Sequence, residues 1–250
     1  ICSGLVGSEM CIRDRTEGGT EEYYKALSWM KSALSIPFNR IVSLNFIDQN
    51  IENFLSYTKQ KLDEELFGME TAKEQILLYL HDRIKNPNTM SIPLALIGSP
   101  GMGKTSIALS LAKIMHVPFQ AISMGGVSEP TFLSGHCSTY IGSKPGRIAS
   151  SMITAKSNNC ILFFDEIDKI ENPDIVSSLL HIMDSTQNST YRDSYFGQLS
   201  IDLSRVFFIC SMNDRPKDRA LSDRLSYISI SDYTEKRNVL LSKSIYYLKH

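Results

Sequence analysis

No apolar run in the 250-residue sequence approaches the roughly 18 residues that a membrane-crossing helix needs. Neither sign of charge dominates. The 26 Lys and Arg stand against 27 Asp and Glu, a formal net charge of −1, which leaves no basic field for bulk binding to nucleic acid or to an anionic membrane. Cysteine is sparse, and Cys2, Cys11, Cys137, Cys160 and Cys210 form no C-x-x-C pair. That spacing argues against a disulfide framework and a zinc site. It suits a reducing compartment, the cytoplasm or, in a eukaryote, the mitochondrial matrix. His81, His116, His136, His181 and His250 are equally dispersed, so no metal-binding cluster is predicted. The opening string ICSGLVGSEMCIRDR has no initiator Met and no apolar period leading into the next residues. Residues 1–15 read as an adapter-derived scar and are predicted to lie outside the fold.

Apolar periodicity begins at residue 21. EEYYKALSWMKSALSI (21–36), IDQNIENFLSYTKQKLDEELFG (47–68) and METAKEQILLYLHDRI (69–84) carry apolar residues at helical spacing. Pro37 interrupts the first, and Gly68 is a natural stop for the second. From residue 93 the pattern alternates. Short apolar runs at 93–98, 119–124, 159–166, 205–212 and 227–231 take turns with helical patterns at 103–116, 146–157, 174–185 and 233–247. Alternation of this kind predicts an α/β fold: a mostly parallel five-stranded sheet with helices on both faces, preceded by a helical segment.

ALIGSPGMGKTSIALSLAK (95–113) carries the strongest chemical signal. Gly98, Ser99, Pro100, Gly101, Met102, Gly103, Lys104 and Thr105 satisfy G-x-x-x-x-G-K-[ST] between a predicted strand and a predicted helix. Glycines let the backbone turn tightly, so that successive N–H groups point inward at phosphate oxygens. The helix N-terminus adds a field that favours negative charge. Lys104 is placed to reach the β- and γ-phosphates, and the Thr105 hydroxyl to bind Mg²⁺.

ILFFDEIDK puts Asp165 and Glu166 at the C-terminal end of a second predicted strand, where ligands gather in open parallel sheets. Asp165 would hold Mg²⁺, and Glu166 would orient and deprotonate the attacking water. The bland alternative is that both acids cap the next helix. Asp168 reads as a cap or ion-pair partner. Asn213, after FFICSM, could hydrogen-bond the water or the γ-phosphate. Arg224 has two readings: a surface ion pair with Asp223 or another acid, or a cation that reaches a nucleotide held by the next subunit.

In this order the elements resemble the AAA+ ATPases. LDEELFGMETAKEQILLYL, GSPGMGKTS, ISMGGVSEPTFLSGHCSTYIGSKPGRI, LFFDEIDKI, MDSTQNSTYRDSYFGQLSIDLSRVFFICSMND and LSDRLSYISISDYTEKRNVLL narrow the match to the ATPase module of the Lon protease family, over about residues 20 to 250. The resemblance implies an ATP-hydrolysing motor that unfolds protein substrates and draws them through a homohexameric ring, with ATP and Mg²⁺ as cofactors. It implies that Gly98 to Thr105, with Ser106 beside them and Asp165, bind the nucleotide, and that Phe67, Gly68 and Met69 pack its adenine. Glu166 is then the catalytic acid, Asn213 the γ-phosphate sensor and Arg224 the arginine finger. Tyr140 and Ile141 line the central pore, although Tyr140 read alone would be a half-buried packing residue.

The domains implied are a helical linker over 16–66, the nucleotide-binding subdomain over 67–232, and the start of a helical lid over 233–250. The second sensor arginine and the Ser-Lys peptidase domain of the family are expected to lie outside the chain. LSGHCSTY departs from the family's basic stretch before the pore tyrosine. KIENPDIVSSLL lacks the usual Gly-Asp pair of a second pore loop. An AAA+ remodelling ATPase without a peptidase, or one that remodels nucleic acid, would share every ATP residue. The loop at 136–146 carries only Lys144 beside Tyr140 and Ile141, no basic stripe for phosphates. A scaffold that binds ATP without turning it over is the third reading, and the Asp165–Glu166 pair speaks against it.

Overall fold

The computed structural model describes residues 21–42, 51–66, 68–85, 92–138, 140 and 142–230. The expectations for residues 1–15, Phe67, Ile141 and the lid helix at 233–247 lie outside these. Among the described residues three helices come first: α1 (Glu21–Leu34), α2 (Ile51–Glu65) and α3 (Glu70–Lys85). The sheet alternates from there: β1 (Leu94–Ile97), α4 (Lys104–Met115), β2 (Phe119–Ser123), a short α5 (Thr131–Ser134), α6 (Arg147–Ala155), β3 (Ile161–Asp165) and α7 (Pro173–Met183). A small hairpin of β4 (Tyr191–Arg192) and β5 (Ser200–Ile201) comes next, then β6 (Phe207–Met212), α8 (Arg219–Asp223) and β7 (Ser226–Ser229).

The large sheet has the order β2-β3-β6-β1-β7, and every pairing in it is parallel. The parallel α/β sheet is therefore as expected. The hairpin and the helices α5 and α8 were not. Their strands of two residues and helices of four or five are too short to carry a period.

Residues alternate between the two faces along each strand. Ala95, Leu162, Phe164, Phe208 and Cys210 enter one core, with Ala33 of α1, Ile36 just after it, Ile148 and Met152 of α6, and Ile175 and Leu179 of α7. Leu94, Leu96, Ile161, Phe163 and Ile209 enter the other, with Phe54 and Leu62 of α2, Ile76 of α3, and Ile107 and Leu111 of α4. Phe164 and Phe208 stack at 6.3 Å on the first face, and Phe119 meets Phe163 at 5.7 Å on the second. Both faces are thus covered, and all five strand ends point their C-termini at one rim.

Candidate functional site

That rim gathers the phosphate-loop residues, Asp165, Glu166 and Asn213 singled out by the sequence. β1 ends at Ile97, and Gly98 turns the chain between neighbours. Gly98 N donates to Met212 O at 3.2 Å, and Ile230 N donates to Ile97 O at 2.7 Å. A Cβ on Gly98 would lie 2.5 Å from Ile230 O, so only glycine fits between β1 and the end of β7. Gly101 and Gly103 take φ of 80° and 81°, the left-handed region that glycine enters without strain. Helix α4 starts directly after Gly103 with no side chain capping its first turn. Its leading N–H groups therefore face the loop's hollow.

Lys104 bends back over the loop. Its Nζ donates to Gly98 O at 2.6 Å, Ser99 O at 3.0 Å and Asn213 Oδ1 at 2.9 Å. Burial lowers its pKa, while Asp165 and Asp168 pull it up. The phosphate loop, the end of β3 and the end of β6 thus converge on one ammonium. Thr105 and Ser106 are exposed on the first turn of α4.

At the end of β3, the Asp165 carboxylate accepts a short hydrogen bond from the Ser211 hydroxyl of β6. Glu166 comes next with φ 60°, and its backbone N–H points at Ser211 Oγ at 3.4 Å. Glu166 makes no side-chain cap to the 3-10 turn Ile167–Lys169. The capping alternative for it therefore fails. Its carboxylate instead pairs with Lys169 and lies against Gly125, where any Cβ would collide with it. Asp168 Oδ2 accepts from Asn213 N at 3.3 Å. Asp168 therefore orients the strand end that carries Asn213. Ser211, Lys169 and the Asp168–Asn213 link were not foreseen. Ser211 had a signal, as a polar residue inside the apolar run FFICSM.

The donor set suits a hard cation: a threonine hydroxyl and one carboxylate, with oxygen donors only. Among the described residues no group of three or more His, Cys, Asp or Glu could hold a metal ion. A cation here would complete its shell with substrate oxygens and water.

Gly68 and Met69 both take positive φ, 70° and 59°. Met69 is buried beside the loop, its Cε 3.7 Å from where a Cβ on Gly103 would stand. Lys73 ties α3 to Asp63 of α2 at 2.7 Å, and Glu65 of α2 accepts from Ser110 of α4 at 2.6 Å. The helical arm and the loop helix are thereby braced together.

Arg224 does not join this site. It donates to Leu180 O at 2.9 Å and pairs with Asp184 at 3.4 Å. It precedes Ser226, which sits level with Leu94 at the opposite end of the sheet. The length of β1, about 13 Å, lies between that end and the loop. Tyr140 is 68% exposed, which rules out the half-buried packing role. It sits on a loop between Gly135 and Gly146, well away from the phosphate loop in sequence and on its own turn.

The comparisons agree with this geometry. The model of the ATPase family associated with various cellular activities (AAA) matches residues 94–232. The Lon protease of Lachnoclostridium phytofermentans is 36% identical over 238 residues, 91% of this chain and 28% of that protein. The Lon protease of Treponema pallidum is 33% identical over 242 residues, 95% of this chain and 27% of that protein. That of Azospirillum brasilense is 38% identical over 222 residues, 87% of this chain and 26% of its own length. The chain thus spans little more than a quarter of these relatives. It belongs to the AAA family of ATPases, as a module of the kind found in Lon proteases.

Proposed function

We propose that the chain is the ATP-driven motor of a Lon-like ATP-dependent protease, unfolding protein substrates and threading them through a homohexameric ring. The observation that carries the reading is the convergence of Lys104, Asp165 and Asn213 on one end of the sheet. The loop Gly98 to Thr105 binds the phosphates through its backbone N–H groups from Gly101 onward, with Ser106 behind them, and Lys104 exchanges its carbonyl partners for phosphate oxygens. Thr105 and Asp165 would hold Mg²⁺, which would neutralise charge on the phosphates. Ser211 fixes the Asp165 carboxylate. Glu166 takes the proton of the attacking water, and Asn213, set by Asp168, senses the γ-phosphate. Phe67, Gly68 and Met69 pack the adenine. Arg224 serves the nucleotide of the next subunit, since its own lies across the sheet.

Tyr140 and Ile141 grip the polypeptide. An exposed aromatic on a glycine-flanked loop presses on side chains by shape and needs no sequence. The near-neutral charge and the lack of a basic stripe around Tyr140 argue against nucleic acid as the primary partner. Among the described residues no helix is long and apolar enough to cross a membrane. Free, buried Cys160 and Cys210 suit the cytoplasm or a mitochondrial matrix.

Replacing Tyr140 with Ala tests the motor role. In the full-length protein, Y140A should lose both ATPase stimulation by an unfolded polypeptide and unfolding of a folded reporter. Wild-type stimulation and unfolding in that variant would refute it.

A further inference from the structure

Asp193 is fully buried in the turn between β4 and β5, away from the nucleotide residues. Its Oδ2 accepts from Gly146 N at 2.9 Å and its Oδ1 from Tyr195 N at 2.9 Å. Burial pushes its pKa up to about 6, while N–H donors at Tyr195, Gly146 and Phe196 pull it down. A buried carboxylate is unfavourable unless such donors compensate it. This one sits where the two legs of the Tyr140 loop meet.

The hairpin holds both legs. On the incoming leg, the Tyr191 hydroxyl donates to Leu133 O at 3.1 Å, and Ser194 N donates to Ser134 O at 2.7 Å. On the outgoing leg, Asp193 holds Gly146 N. Between the legs the contact is backbone on backbone. A Cβ on Gly135 would lie 2.7 Å from Gly146 N and 2.6 Å from Asp193 Oδ1. Above this base, backbone bonds run from Tyr140 N to Cys137 O at 3.2 Å, from Ser143 N to Tyr140 O at 3.3 Å and from His136 N to Lys144 O at 3.4 Å.

The same turn reaches the other way. Trp29 of α1 donates from Nε1 to Tyr195 O at 2.9 Å. Its ring lies 6.3 Å from that of Phe196, which meets Tyr195 edge-on at 5.1 Å. A continuous chain of contacts runs from α1 through Trp29, Tyr195 and Asp193 to Gly146 and the loop.

We propose that Asp193 and its turn form a positioning bridge that holds the two legs of the Tyr140 loop together and couples that loop to helix α1. The bridge rests on the reading of Tyr140 as a polypeptide grip. Asp193 touches no reacting atom and acts through the loop. Asn at this position keeps the size, but its amide nitrogen cannot accept, so one of the two N–H bonds is lost.

The test uses the full-length protein and two readouts. The first is ATPase rate against the concentration of reduced, carboxymethylated lactalbumin, an unfolded polypeptide. The second is amide hydrogen exchange. D193N should leave the unstimulated ATPase unchanged. It should raise the polypeptide concentration for half-maximal stimulation about tenfold, the worth of one hydrogen bond to a charged acceptor. Amides of residues 135–146 should exchange faster, and those of α4 should not. W29F removes the indole N–H bond and trims the ring beside Phe196, and should move both readouts the same way by less. If D193N does not fold, W29F decides alone. Y140A separates the two failures. Loss of stimulation in Y140A with wild-type stimulation and exchange in D193N and W29F overturns the bridge and keeps the grip. Intact stimulation in Y140A overturns both.

Discussion

Lys104 shows how single residues are held ready. Its ammonium rests on two loop carbonyls and on Asn213, weaker partners than a phosphate. Asp165 and Glu166 are held in the same manner, by Ser211 and by Lys169. Asp193 is the opposite case, a carboxylate whose environment opposes its charge. Its pKa is near 6 in the fold and about 3.9 in an unfolded chain. The folded state therefore binds more protons between those values. The stability this group supplies is complete below about pH 4, falls as pH rises towards 6 and is level above. The urea midpoint of wild type relative to D193N should decline across that window. A difference that does not change with pH would contradict the burial argument.

At the scale of elements, the phosphate loop depends on its fit against the sheet. Gly98 passes within reach of Ile230 O, so G98A must push β1 and the end of β7 apart. It should lower stability by about 1–3 kcal/mol, the usual effect of overpacking, and weaken nucleotide binding with it. Chemical denaturation and nucleotide titration would show both, and an unchanged midpoint would contradict the tight passage.

The same element explains why so much was legible in the sequence. A strand of four apolar residues, a glycine loop and an amphipathic helix each carry a local signal, and the five strands announce themselves by apolar runs. What was illegible depends on distance along the chain. Ser211 meets Asp165 across 46 residues and Trp29 meets Tyr195 across 166, and no local pattern encodes either meeting. The β4–β5 hairpin, whose turn carries Asp193, is too short to show a period. For Arg224 the residues alone leave two readings, and only the family resemblance makes it the arginine finger. It does pair with an acid, Asp184, and the sheet's length keeps it from its own loop.

At the scale of the whole molecule, the finger role proposed for Arg224 needs a second copy, because the sheet separates it from its own loop. If Arg224 completes the neighbour's site, R224A should lower turnover by about 10³–10⁵-fold, and K104A should be inactive for its own reason. Rings assembled from both variants should regain turnover, because some interfaces then join an intact loop to an intact arginine. Mixed rings as inactive as either parent would place Arg224 in a purely structural pair. The ring, the grip and the bridge all presuppose that ATP is hydrolysed at this end of the sheet with Glu166 as the base. The most direct measurement is steady-state ATP turnover of E166Q in the full-length protein, with ATP binding measured in parallel. Binding should persist while turnover falls by about 10²–10⁴-fold. Turnover near that of wild type would contradict the assignment of Glu166, and with it the chemistry proposed for the site.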